Sequence, residues 1–183
     1  MLPALAVSEA VGYATTSDPR DIFDDLKDVG LWPAHEYIKK VTSISVWIGA
    51  ARPNGIEITY QLNNTTQPAV KMHGQRNGAQ RTVTVAENEF FVGMFGAVDS
   101  DPDQPTLRRL GFLVYDKDTG ALAQQGPFPD ASVTTQNIAG FASLGLIVGF
   151  SGTCADNGNL ETVAIYKLQP GSTFVLDVST LFH

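Results

Sequence analysis

The chain has 183 residues, with 12 Lys and Arg against 19 Asp and Glu, a formal net charge of −7, 43% hydrophobic and 17% charged content. That length predicts one domain with a core large enough to need neither disulfides nor metal, and 17 Gly with 10 Pro predict frequent turns. A pI near 4.8 leaves no basic field for phosphates, which argues against nucleic acid and anionic membranes as partners.

A single cysteine, Cys154, excludes an internal disulfide framework and a Cys-rich metal site, and with no basic neighbour it reads as a small turn residue. The opening Met1 to Val7 is apolar but lacks basic residues and is followed by Glu9, so it makes a poor signal peptide. No run is long enough to cross a membrane. The expectation is a cytoplasmic protein without membrane insertion, and the overlapping sequons in Asn63-Asn64-Thr65-Thr66 matter only if the chain is secreted.

Residues 1–16 read as an N-terminal arm or edge strand, and Asp18 to Asp25 as a loop. Trp32-Pro33 then breaks any long helix, so no helix is predicted. From Val41 to Ile48 the apolar residues Ile44, Val46 and Ile48 alternate at strand period, Gly49 to Gly55 turns the chain, and Ile56 to Tyr60 alternates again. Ala69 to Met72, Arg81 to Val85, Phe90 to Phe95, Leu107 to Tyr115 and Gln124 to Phe128 follow as strands between tight turns, the spacing of an all-β domain.

The most distinctive stretch is Leu144 to Leu168. An apolar run to Phe150 enters a small polar turn, Gly152 to Asn159, and a β-branched run leaves it, which predicts a hairpin with a polar tip. The turns Gly49 to Gly55 and Gly152 to Gly158 look like two copies of one template, each followed by a strand ending in tyrosine, Tyr60 or Tyr166. Residues 169–183 predict one more strand, whose edge offers a dimerisation surface.

Catalytic patterns are missing. His35, His73 and His183 have no ligand spacing, no serine sits in a nucleophile elbow, and Asp24-Asp25 reads as a solvated pair. Asp99-Ser100-Asp101-Pro102-Asp103 starts like a calcium loop, but Gln104 and Leu110 stand where Gly and Glu are required. No metal and no cofactor are expected. What remains is turn chemistry: neighbouring hydroxyls of a neutral sugar suit a short carboxylate plus backbone amides, here Asp156 and Glu161 with the amides of Gly158 and Asn159.

Phe23-Asp24-Asp25, Ile44 to Gly49 with Gly55 to Tyr60, His73-Gly74, Glu89 to Gly96, Leu110 to Phe112, Gly126-Pro127-Phe128, and Ile147 to Gly152 with Leu160 to Tyr166 occur in an order that resembles the jacalin-related lectins. The resemblance runs over residues 17–168 and implies a β-prism I fold, three four-stranded Greek-key sheets with pseudo-threefold symmetry. It also implies binding of glycans or glycoproteins, without metal and without catalysis.

The family's main site joins a Gly-x-x-x-Asp loop to a Gly-rich N-terminal loop. By that resemblance Glu161 takes the Asp position, Asn159 and Leu160 the amide positions and Asn157 the Gly, with Asp18 and Arg20 in place of the N-terminal glycines. The chain departs from the pattern at each, and both Glu161 and Asp156 remain candidates for reaching a sugar, with Gly158 between them. A second site on the first hairpin would use Asn54 and Arg52 beside Gly74 and Arg76. The uncleaved chain favours mannose over galactose. The expectation is a mannose-type lectin acting as a homodimer; the alternatives are a β-prism interaction module that has lost sugar binding, and a glycosidase.

Overall fold

Runs of β-branched and aromatic residues make almost all of the regular structure, and the longest of them pair as hairpins of consecutive strands. The structure, a computed structural model, describes residues 5–15, 21–28, 38–63, 65–99, 103, 105–130 and 138–168. In chain order the elements are β1 (Leu5–Val7), β2 (Val11–Gly12), β3 (Ile22–Asp24), α1 (Asp25–Asp28), β4 (Ile38–Ile48), β5 (Pro53–Leu62) and β6 (Ala69–Gly74). There follow β7 (Ala79–Thr84), β8 (Glu89–Asp99), β9 (Leu107–Asp116), β10 (Leu122–Phe128), β11 (Ile138–Leu144), β12 (Leu146–Cys154) and β13 (Leu160–Leu168).

All pairing is antiparallel, in three sheets. Sheet I has the order β6-β5-β4-β7, sheet II β10-β9-β8-β11, and sheet III β1-β13-β12-β3 with β2 also on β13. Because β1 and β2 lie one after the other along β13, sheet III too has four strand positions. Each sheet is a central hairpin with one outer strand on either side, and in sheet III those outer strands come from the start of the chain.

The symmetry is visible in the register. The central hairpins share two interruptions at matching places, between Val41 and Ser43, Phe91 and Gly93, and Ile147 and Gly149, then between Trp47 and Ile48, Ala97 and Val98, and Thr153 and Cys154; β4–β5 has a further one between Ile38 and Lys40. Counting from these bulges makes Ile44, Met94 and Phe150 equivalent, likewise Ile58, Phe112 and Ile165, and Ile56, Leu110 and Val163; all nine have no exposed surface. Three sheets thus contribute one residue each to successive layers of a shared core. Phe112 packs edge-to-face on Phe91 of its own sheet at 5.9 Å and on Phe150 of sheet III at 6.4 Å, the second contact joining two sheets.

This register corrects the sequence alignment of the two turns. Gly152 is equivalent to Val46, not Gly49, and Tyr60 to Lys167, not Tyr166. The true third copy, β8–β9, escapes the template because eight residues separate its paired Val98 and Leu107.

Local differences from the sequence reading are instructive. Instead of a loop to Asp25, Ile22–Asp24 pairs with β12 and Asp25–Asp28 forms one helical turn. Asp24 caps that turn, its Oδ1 accepting the N–H groups of Leu26 at 3.1 Å and Lys27 at 3.3 Å, while its Oδ2 accepts Tyr166 Oη at 2.8 Å. Asp24-Asp25 is not a solvated pair either: Asp25 is fully buried and accepts hydrogen bonds from Tyr60 Oη and, at 2.6 Å, His73 Nε2. His73 is a buried strand residue of β6, and Phe23 stacks on its ring at 3.7 Å. Together these contacts fasten β3 and α1 to sheet I.

Trp32-Pro33, His35, Asp101, His183 and the predicted strand in 169–183 lie outside the described residues. Among the described residues no helix is long and apolar enough to cross a membrane, and no group of three or more His, Cys, Asp or Glu is placed to hold a metal.

Candidate functional site

A β-bulge leaves one residue unpaired and re-aims its side chain, and each central hairpin has such a residue at its tip end. In β5 it is Asn54, in β9 Arg108 and in β13 Glu161. One backbone position therefore carries an amide, a cation and a carboxylate in the three copies. Arg108 is neutralised where it stands, its Nε donating to Asp99 Oδ1 at 2.7 Å, and that hydrogen bond raises its pKa further.

Glu161 does not face solvent. It is 5% exposed, and the segment after β2 lies across it: Thr15 N–H donates to Oε2 at 2.9 Å, and the Thr15 hydroxyl donates to Oε1. Gly12 allows that approach, since a Cβ at its position would overlap the Glu161 carbonyl oxygen, and its φ of 106° suits glycine.

Beyond Glu161 the tip of β12–β13 folds on itself. Gly158 N–H donates to the Ala155 carbonyl at 2.6 Å and Asn159 N–H to Asn157 Oδ1 at 3.1 Å, so the two amides expected to meet a ligand are engaged within the turn. Asp156 and Asn157 project outward and are exposed. Asp156 has no hydrogen-bond or ion-pair partner among the described residues, which leaves it the free carboxylate of the tip.

The two predicted sites are neighbours. Gln75 N–H donates to the Asn54 carbonyl at 3.0 Å, and Gln75 Nε2 donates to the Asn157 carbonyl, bridging the first and last hairpin tips. Gly74 packs so closely that a Cβ there would come within 3.1 Å of the Leu160 nitrogen, and Leu160 itself is fully buried beneath the tip. Asn54 Nδ2 donates to the Asn77 carbonyl at 3.3 Å. Arg76 is paired with Glu57, its guanidinium 5.8 Å over the Trp47 ring, and the Arg52 carbonyl accepts Gly49 N–H at 2.9 Å. Asp18 and Arg20 lie outside the described residues.

Thr15 and Gln75 are the contributors that the sequence does not flag. Gln75 lies in the connection between β6 and β7, flanked by Gly74 and Gly78, both at positive φ. Nothing local marks Thr15, 146 positions from its partner. Cys154 is the last residue of β12 rather than a turn residue, and its thiol is pushed up to about 11 by burial, with the Asp21 and Glu161 charges adding to the rise and a Gly74 backbone hydrogen bond opposing it.

The Jacalin-like lectin domain family model matches residues 25–166. The chain belongs to that family. Its fold agrees: wild-type Malaysian banana lectin is similar at a TM-score of 0.65 and 17% identity, covering 92% of this chain and 100% of that one. A mannose-binding jacalin-related lectin from Ananas comosus gives 0.62 at 16% identity, covering 90% and 99%, and the mannose-binding lectin from Champedak 0.61 at 19%, covering 92% and 100%. No curated protein matches this jacalin-like chain in sequence. Three Greek-key sheets around a threefold core are thus the type I β-prism of the family, and the bulge residues Asn54 and Glu161 are equivalent positions within it.

Proposed function

We propose that this jacalin-like lectin binds neutral, mannose-type glycans at the joined tips of its first and last hairpins, without metal and without catalysis. The observation that carries the reading is the polar end of the prism, where Asp156 and Asn157 are exposed beside Asn159, Gln75 and Asn54 on a rigid pair of hairpins. The solved neighbours from Ananas comosus and Champedak, whose names say that they bind mannose, support the choice of sugar. A carboxylate contact to a hydroxyl contributes about 1.5–3 kcal/mol before desolvation, so a single site is expected to be weak and to gain from pairing in a homodimer.

The test is calorimetric titration with methyl α-mannoside, alongside a glycan array. Binding that drops at least several-fold in Asp156→Ala supports the reading. Unchanged binding in that variant moves the contact to Glu161 or to Asn54.

A second reading, an interaction module that has lost sugar binding, is favoured by one observation: both oxygens of Glu161 already hold Thr15. Absence of any saturable response across the array would decide for it.

A further inference from the structure

We propose that the N-terminal arm is a built-in plug of the main sugar site, with Thr15 occupying the carboxylate that a saccharide would use. The inference rests on the lectin reading above and concerns how that site is regulated. Thr15 presents two donors, a backbone N–H and a hydroxyl, one to each oxygen of Glu161. That is the pattern in which two adjacent sugar hydroxyls address one carboxylate. The arm therefore competes with a neutral polyol for the same lone pairs.

The cover is thin and weakly held. Tyr13, Ala14 and Thr15 are exposed, whereas Glu161 beneath them is buried. The strand that anchors them, β2, has only two residues, paired as Gly12 with Thr162 and Val11 with Val163. A two-residue edge strand opens at a small fraction of the global unfolding cost. Lifting Thr15 would uncover Glu161 at the base of the tip that carries Asp156, without disturbing the paired core of β12–β13. The affinity measured for a sugar is then the intrinsic affinity scaled by the fraction of molecules with the arm open.

The experiment uses the full chain and methyl α-mannoside, read by calorimetry and by amide exchange at Thr15. Thr15→Val removes the hydroxyl donor and is expected to tighten binding on the order of ten-fold, the size of one hydrogen bond to a charged group. Thr15→Pro removes the N–H instead and should also tighten it, while Thr15→Ser keeps both donors and should match the parent. Adding sugar to the parent should speed exchange of the Thr15 amide. The gain in Thr15→Val should vanish when Glu161→Ala is added.

Equal affinities in the parent and Thr15→Val, with the Thr15 amide undisturbed by sugar, would overturn the plug and leave the lectin reading standing on another part of the tips. A gain that survives Glu161→Ala would also overturn it. Lack of binding in every variant, Thr15→Val included, would overturn both.

Discussion

Asp25 has no exposed surface, and a lone carboxylate in such a place costs several kcal/mol unless its oxygens are satisfied. Tyr60 and His73 satisfy them, from 35 and 48 positions away. That separation explains why the pair Asp24-Asp25 reads as solvated in the sequence although its family motif is legible: the burial comes from partners on another sheet. Tyr60→Phe keeps the ring in the core and removes one donor to the buried charge, so it is expected to lower stability by about 1.5–3 kcal/mol in urea denaturation. A loss below a few tenths would mean that Tyr60 Oη contributes nothing net. Burial acts on Tyr60 as well, raising its phenol well above the ordinary range, with the Asp25 charge adding to the effect.

Cys154 offers a titration at the same scale. Its folded value of about 11 exceeds the ordinary 9.0, so folding favours the protonated thiol; the contribution to stability is complete below pH 9 and is lost as pH rises from 9 through about 11. Thiolate is accordingly scarce at neutral pH. Alkylation by iodoacetamide is expected to be much slower in the native chain than in urea, climbing with pH until about 11. Native and unfolded rates that coincide at pH 8 would contradict the buried setting.

At the level of the hairpin, a glycine on the inner strand makes room for an aromatic from the outer strand. Gly152 pairs with Phe23 on β3, and Gly96 pairs with Phe141 on β11. A Cβ at either would approach the paired ring at 2.8 Å and overlap a carbonyl on the neighbouring strand, Thr162 or Arg109. The same device in two equivalent strands is structural repetition, and the sequence conceals it because the third copy has Val46 opposite Arg81. The strand β11 escapes reading for a related reason: Ile138–Leu144 intersperses small residues with Ile and Phe, and its place is fixed by glycines on β8 rather than by its own alternation. Central strands such as β4 and β5 were legible because their β-branched residues alternate at the strand period. Gly152→Val is expected to push Phe23 off its seat above His73 and to cost at least about 1–3 kcal/mol, seen as a lowered midpoint in guanidinium. Retention of the parent midpoint would show that β3 can shift outward without penalty.

Over the whole molecule, the cyclic arrangement makes the start of the chain complete the sheet built at its end. The strands β1 and β2 cover β13 along Leu160–Leu168, whose first seven residues are all buried. Two hairpins, β4–β5 and β12–β13, are readable as local patterns and β8 and β9 as separate strands, but closure depends on contacts spanning more than 150 positions, such as Leu5 with Leu168, and no local pattern records these. Pairing so remote in sequence is slow to form, since chain closure has to precede the contacts that reward it. Deleting residues 1–12 removes both partners of that edge and leaves the N–H and C=O groups of an apolar strand open for pairing with another chain. The truncated protein is expected to scatter light strongly at concentrations where the full chain does not, and to lose amide protection along Val163–Tyr166 while β4–β5 and β8–β9 keep theirs. Loss of protection in all three sheets together would mean that the prism folds as one cooperative unit sealed by the arm. Unchanged protection along β13 would instead show that β12 alone holds that strand in place and that the arm serves only to cover Glu161.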